Sequence, residues 1–550
     1  MKKRTILSAI LAVIVVVCLA AGCGAQAPAE SQAPVETEAA TEAAAPEVVS
    51  VAEISYTNIN YDFVEQIKAD MEKLSLVPQA AEIGLTVSVP VGFDGLVLVP
   101  SMEEGNTSDY YLNVFYAGDV TFEGAIKSVS DSLHGDVAVE GGKALVSLAA
   151  IKDNTDQVIT FTMEDGAVYN VHTIHQLLPK FEVTGSGVPE NLYGTYDMSI
   201  DQFAITVNTL GEIIFYRDFS VVGEAMAENY QTQVTKEGTF HTIFIELHPE
   251  WRNANGGYSS GFYLVMDDNY AEMDRAMLVP NTDPNHTHGQ GYLDQHEFVV
   301  LGRNHYLNLS YTPEYVENIP ESCGATKGWV WAGVFQEVLN DQVVAEINTT
   351  DYPLLYESAV EKLDYAGSTD QGVTVTVGQN EVQSWADGLQ DYVHPNSLDY
   401  TLNADGSVNK LLVSMRDQCA VYQFDMKSGA MEWILGGKAS TLSGYDEYVT
   451  DRVDEAKNPF KALTYAQHYA RYTNKNAEGA IEGNPIVSIF DNQTGDAPFQ
   501  INPPAPVMAP NLTRVFKATI DAAAKTATVS DVINGLDLNK LTPKYHISSH

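Results

Sequence analysis

Apolar and polar positions alternate in short bursts along most of this chain, as in "LTVSVPV" from Leu85, "YYLNVFYA" from Tyr110, "ALVSLAAI" from Ala144 and "VITFTM" from Val158. A period of two marks strands that bury one face. Gly, Asn and Asp punctuate the bursts, so the stretch from Gly84 to Phe181 predicts a small antiparallel β domain, with a sandwich as its default packing. Ahead of it, Phe63, Ile67, Met71 and Leu74 recur at helical spacing and predict a short helix over Tyr61–Leu74.

From Tyr193 onward the strands begin to resemble one another. "FAITVNTLGEIIFYRDF", "HEFVVLGRNHYLNLSY", "KLLVSMRDQCAVYQFDMKSGAMEWILGG" and "NPIVSIFDNQTG" each pair apolar strands across a Gly- or Asn-containing turn. Self-similarity on a scale of roughly 40–50 residues is how propeller blades look in sequence. At that length the region from Tyr193 to His550 holds about six to seven blades. A larger sandwich assembly is the competing reading, and periodicity alone does not separate the two. Either way the fold class is all-β.

The N-terminus breaks this pattern. Lys2, Lys3 and Arg4 precede an apolar run from Ile6 to Ala21, followed by Gly22 and Cys23. This order predicts an export signal over residues 1–22. The "LAAGC" ending resembles a lipoprotein lipobox, which implies lipidation at Cys23; an uncleaved membrane anchor is the alternative, although the run is short for a spanning helix. Residues 23–50 are rich in Ala, Glu, Pro and Thr and free of Lys and Arg, a composition that cannot build a core and reads as a disordered spacer. The expected organisation is therefore signal 1–22, spacer 23–50, N-terminal β domain 51–185 and a second β domain over 186–550. The expected location is outside the cytoplasm, tethered to a bacterial membrane at the cell surface or in the periplasm.

With 550 residues the chain is long enough for more than one core. Its 30 basic and 73 acidic residues give a net charge of −43, which opposes phosphate backbones and argues against nucleic acid as a partner. An anionic substrate would need a local basic pocket. Processing at Cys23 would leave Cys323 and Cys419, in a compartment where disulfides persist; whether they pair is open. No CxxC metal or redox motif is present.

Thirteen histidines are the main candidates for chemistry. His172, His175, His241 and His248 lie in or near strands and read as structural or surface residues. His286 and His288, in "NHTHGQGYLDQH", sit in a Pro/Asn/Gly loop that reads as a polar surface loop before it reads as a zinc site, which would want three or four converging ligands. No metal is expected.

Five further stretches follow a recognisable order. "DYVHPNSLDY", "LLVSMRDQ", "EWILGG", "YAQHYARY" and "SIFDN", together with "DQHEFVVL" upstream, resemble the bacterial aryl-sulfate sulfotransferase family, in which H-x-N-S, S-x-R, W-I-L-G, Q-H and F-D-N segments follow in this sequence. The resemblance spans roughly Tyr193 to Asn492 and is densest beyond Asp391. It implies a six-bladed β-propeller behind a small sandwich-like N-terminal domain, with the site in the central channel. The implied reaction moves a sulfonate group from a phenolic sulfate ester to an acceptor phenol, with no nucleotide (PAPS) donor and no other cofactor. The family's sulfated histidine maps to His468, its H-x-N-S residues to His394 and Asn396, its S-x-R arginine to Arg416 and an upstream histidine to His296. Gln295 stands where the family often has a second histidine, and Tyr392 where tryptophan is common. Implied partners are the small-molecule donor and acceptor and, through the N-terminal lipid, the membrane; a homodimer is open.

The residue types suit that chemistry. Neutral imidazole is a competent nucleophile near pH 7, and a sulfohistidine divides one displacement into two. Arg416 offers a planar fork for sulfate oxygens. His394 and His296 could bind the sulfonate and carry protons, and Asn396 either orients the site or caps the turn after Pro395. The alternative from another class is a non-catalytic propeller lipoprotein that binds ligands or partners. Sulfonate passage to water is a third reading, for which no C-x-P-x-R or S-x-P-x-R sulfatase signature is present.

Overall fold

The alternating segments become strands; from Thr195 on, strands that follow one another in the chain pair within each sheet, whereas the two N-terminal sheets cross over, and Val168–His172 pairs Asp109–Leu112 in parallel in a domain expected to be wholly antiparallel. A computed structural model describes residues 83–88, 98–101, 105–112, 118–148, 156–173, 195–200, 203–208, 213–219, 226–246, 261–281 except 269, 291–360, 390–454, 458–492 and 513–534. The expected signal, spacer, lipidated Cys23 and helix over Tyr61–Leu74 lie outside the described residues, as do His175, His248, His286 and His288. Among the described residues no helix is long and apolar enough to cross a membrane.

The N-terminal strands form two sheets. One runs Leu85–Ser88, Gly118–Gly124, Lys143–Leu148, Val139–Glu140; the other has six strands from Leu98–Pro100 to Gly135–Val137. Lys143–Leu148 alternates exposed and buried at every residue, as the period-two pattern requires. Val120, Phe122 and Val146 of the first sheet share a core with Val129, Ile159 and Phe161 of the second, and the Phe122 and Phe161 rings lie 4.7 Å apart. That core continues into Phe215, Ile243 and Leu264 further along the chain, and the Tyr216 hydroxyl donates to the Leu112 carbonyl at 2.6 Å.

The remaining sheets are antiparallel meanders taken in chain order. A three-stranded one covers Thr195–Ile200, Phe203–Asn208 and Ile213–Asp218. Four-stranded meanders follow: Met226–Thr235 to Glu272–Ala276, Phe298–Gly302 to Gln342–Asn348, Pro395–Leu402 to Met431–Gly436, and His468–Tyr472 to Thr526–Asn534. The third strand of the 298–348 meander, Gly328–Leu339, also takes Gln390–Asp391 in parallel. A two-stranded hairpin, Thr450–Val453 with Pro459–Ala462, sits between the last two meanders in sequence. The fold is thus all-β and built of many separate sheets.

First strands of different meanders touch. Asn229 in the Met226–Thr235 strand donates to the carbonyl of Gln295, just ahead of Phe298–Gly302. The backbone amide of Leu398 donates to Glu297, and the amides of Ala470 and Tyr472 donate to Ser397 and Asp399. Side chains thus join neighbouring sheets where no ladder does, so the start of each meander is held against the start of another.

Cys323 and Cys419 are both free thiols. His241 fits its structural reading: it is buried, stacked 4.0 Å from the Tyr270 ring, with the Thr232 hydroxyl 3.0 Å from Nδ1. Burial first, and then the nearby Arg217 charge, hold its pKa down at about 4. His172 stacks on Tyr111 between the carboxylates of Asp109 and Asp156.

Candidate functional site

Three of the histidines expected at the site come from the starts of three different meanders, and they meet. The His296 ring centroid lies 5.5 Å from that of His394 and 6.3 Å from that of His468. His296 precedes the Phe298–Gly302 strand, His394 precedes Pro395–Leu402, and His468 opens His468–Tyr472. Local backbone irregularities turn these segments. Registers shift between Pro395 and Ser397 and between His468 and Arg471, and His394 and Tyr469 adopt left-handed φ values of 44° and 54°. A bulge re-aims the side chains on either side of it, and non-glycine residues at positive φ cluster where function requires an unusual direction.

The three imidazoles sit in different electrostatic surroundings. Asp294, fully buried, takes the Nδ1 of His296 at 2.6 Å and its backbone amide at 2.9 Å. Asp391 does the same for His394, at 2.8 Å to Nδ1 and 2.9 Å to the amide. A second carboxylate, Asp417, has an oxygen 4.0 Å from His394 Nδ1. Burial alone would push the His394 pKa down, but the charge and hydrogen bond of Asp391 and the charge of Asp417 outweigh it, so the net shift is upward. Burial and the Asp391 charge push the Asp417 carboxyl up. These two carboxylates and His394 are close enough to hold a cation, yet Arg416 already donates to Asp417 at 2.9 Å, so the negative charge has a resident counter-ion.

His468 has no carboxylate among its described contacts. Its Nδ1 faces the Ala466 carbonyl at 3.1 Å and the Asn492 amide at 3.0 Å. Burial of the ring, followed by repulsion from His296 and His394, brings its pKa down to about 3. One imidazole is therefore neutral across the physiological range, while His394 beside it is biased towards its charged form. Groups whose surroundings push their protonation apart are how acid and nucleophile coexist at one pH.

Arg416 opens a 3-10 turn, Arg416–Gln418, that is bonded directly to the His394 segment. Its backbone amide donates to the His394 carbonyl at 2.9 Å, and that of Asp417 to the Val393 carbonyl at 3.2 Å. Gln418 closes the arrangement by donating to the Tyr392 carbonyl at 2.5 Å. Asn396 ties two segments together: its amide donates to the Gln467 carbonyl at 2.7 Å, next to His468, while its Oδ1 is buried without a partner among the described residues. Gln467 is itself held by Ser414 and by the carbonyls of Met415 and Ala420. Beneath them, Arg471 pairs with Glu297 and donates to the Leu398 carbonyl at 3.2 Å, linking the segments of His296, Asn396 and His468.

Sequence reasoning passed over Asp294, Asp391, Asp417, Tyr311 and Asn492. Both histidine partners had a local signal, a carboxylate two or three residues ahead in "DQH" and "DYVH". Tyr311 had none. Its ring lies 5.9 Å from His394 and 6.3 Å from His296, and its hydroxyl donates to the Pro395 carbonyl at 2.7 Å, an approach made by sheet packing across 84 residues of chain.

Residues 332–533 match the family model described as Arylsulfotransferase (ASST). That segment is an arylsulfotransferase-family domain. It takes in His394, Asn396, Arg416 and His468, with His296 lying ahead of it. The match of that segment to the arylsulfotransferase model supports aryl sulfotransferase activity in general and implies phenolic substrates. No curated protein matches the chain. Solved structures with a distant likeness to this arylsulfotransferase-like chain include the hydrazine synthase of Kuenenia stuttgartiensis, with 8% identity, 76% of this chain and 94% of that one covered and a TM-score of 0.25. AztD of Citrobacter koseri is another, with 9% identity, 76% and 95% covered and a TM-score of 0.19. Likeness at this level carries no argument about fold or activity.

Proposed function

We propose that the protein transfers a sulfuryl group from a phenolic sulfate ester to an acceptor phenol through a sulfohistidine on His468, without a nucleotide donor. The observation that carries this is the meeting of His296, His394 and His468 with Arg416 close by, two of the imidazoles carrying carboxylates and His468 none among the described residues. A lone pair on His468 attacks sulfur, the bond from sulfur to the aryl oxygen breaks, and the phenolate leaves. His394 or His296 supplies its proton, and Arg416 balances the charge on the sulfonate oxygens. In the second half the same histidine takes the acceptor's proton, and the phenol oxygen removes the sulfuryl group from His468. Transfer of this kind depends on positioning and charge more than on covalent assistance, which suits a site tied together by the Gln467, Asn396 and Glu297–Arg471 contacts.

The meanders serve in this reading as blades of a six-bladed propeller whose innermost strands carry the site, since the first strands of successive meanders are the ones that touch. Domain limits at 51–185 and 186–550 and a lipid on Cys23 that tethers the protein outside the cytoplasm belong to the same proposal.

The experiment is release of a chromogenic phenol from its sulfate by the purified protein, with and without a second phenol, for wild type and His468→Ala. Expected are acceleration by the second phenol, parallel lines in double-reciprocal plots and loss of at least roughly 1,000-fold in the variant. No response to the second phenol, or full activity in His468→Ala, refutes the proposal.

A further inference from the structure

The F-D-N strand end, prominent in sequence, has no part in the reaction as set out above. Asp491 is fully buried, accepting from the Tyr465 amide at 2.8 Å and from Arg514 Nε at 2.9 Å, and the Thr513 hydroxyl donates to the Asn492 carbonyl at 2.9 Å. The backbone around Asn492 is therefore fixed at the end of the Ile486–Asp491 strand, and its side-chain amide lies 3.0 Å from His468 Nδ1. The same nitrogen faces the Ala466 carbonyl at 3.1 Å. A carbonyl oxygen only accepts, so Ala466 favours a hydrogen on Nδ1. An amide offers either end: its nitrogen donates to a bare Nδ1, and its oxygen accepts from Nδ1–H. A half-turn about the terminal side-chain bond exchanges the two with little movement of other atoms. In the structure the amide nitrogen is the nearer end.

We infer that Asn492 is a positioning residue that selects the tautomer of His468: turned oxygen-inward, it holds the hydrogen on Nδ1 and leaves the lone pair on Nε2. This rests on the sulfohistidine reading. When Nε2 forms its bond to sulfur and the aryl oxygen leaves with its electron pair, the ring becomes cationic and keeps its hydrogen on Nδ1. Two acceptor oxygens, from Ala466 and Asn492, then share that hydrogen and stabilise the charge. When the acceptor phenolate displaces Nε2, the electron pair of the N–S bond returns to Nε2, and Nδ1–H is unchanged. With the amide nitrogen inward the hydrogen would instead sit on Nε2, and attack would be blocked. The Ala466 carbonyl and an oxygen-inward Asn492 at the far edge of a nucleophilic imidazole thus decide together which nitrogen can react.

The test uses the full chain with nitrogen-15 in its histidines. Long-range proton–nitrogen correlation spectra report the tautomer of His468, which is assigned by comparison with His468→Gln. Expected is Nδ1–H in wild type and in Asn492→Asp, whose carboxylate can only accept, and a mixture of tautomers in Asn492→Leu. Steady-state kinetics with an aryl sulfate should show kcat in Asn492→Leu lowered by roughly 10- to 100-fold with KM changed less than about threefold, and Asn492→Asp retaining transfer within about fivefold of wild type. Nε2–H as the sole form in wild type, or an unchanged tautomer and kcat in Asn492→Leu, overturns the inference. If Asn492→Leu does not fold, the spectra of wild type and Asn492→Asp decide it. The spectra need no substrate, so a protein with the expected tautomer and no transfer to phenol would sink the proposed reaction and leave the inference about His468 standing.

Discussion

Asp391→Asn removes a charge from the site while keeping a hydrogen-bond acceptor for His394. The Asp391 carboxylate lies 2.8 Å from His394 Nδ1, and both side chains are largely buried, at 14% and 7% exposure. Two unit charges about 4 Å apart at an effective dielectric near 20 interact by about 4 kcal/mol. Asp417 remains in place and supplies part of the same field, with an oxygen 4.0 Å from Nδ1, so roughly half of that energy should be lost. About 2 kcal/mol corresponds to roughly 30-fold in the protonation equilibrium constant of His394, which sets the upper limit on the loss of its acid form at neutral pH. As an acid, His394 matters most when the departing phenolate is a strong base. The assay is kcat/KM, which reports the first half-reaction, across aryl sulfates whose phenols range from nitrophenol to unsubstituted phenol. Asp391→Asn should lose up to roughly 30-fold, and more than about fivefold, with the least acidic phenols and less than about threefold with nitrophenol. The sign in pH follows from the upward shift of His394: the acid form persists below its raised pKa and disappears above it, so the falling alkaline limb of kcat/KM should move to lower pH in the variant. Equal loss for every phenol, with the alkaline limb unmoved, would show that Asp391 only holds structure and that His394 is not the acid.

Two further outcomes concern stability. His241 is depressed to about 4 by burial and Arg217, so between its unfolded value near 6.5 and its folded value the unfolded chain binds a proton that the folded one refuses; stability is lost as pH falls through that window. Urea midpoints at pH 7.5 and 4 should show His241→Gln sparing the protein about 3 kcal/mol of its acid-side loss, and an equal fall in both proteins would refute this. Separately, Glu297→Gln or Arg471→Met alone should cost about 3–5 kcal/mol by stranding a buried charge, while the double variant should cost less than either; additive losses would mean the pair is not coupled.

The chain's own pattern determined the all-β class, because period-two alternation and turn residues act over a few neighbouring positions. The strands from "VITFTM" to "NPIVSIFDNQTG" therefore fall where the sequence puts them. The order of the H-x-N-S, S-x-R and Q-H segments, through its resemblance to the sulfotransferase family, likewise singles out His394, Asn396, Arg416 and His468 from sequence alone. Gln295 departs from the family's usual histidine, yet His296 beside it stands against the other two rings. Tertiary structure alone decided what those residues do to each other. His394 is biased upward and His468 downward because of their burial, of Asp391 three residues ahead of His394 and of Asp417 brought in on the Arg416–Gln418 turn, and electrostatic energies change severalfold over a few ångströms. Tyr311 and Asn492 became part of the site for the same reason. Tyr311 approaches His394 through the packing of one sheet on another, whereas Asn492 approaches His468 through the pairing of His468–Tyr472 with Ile486–Asp491 within one sheet; separations of 83 and 24 residues along the chain carry no local signal for either.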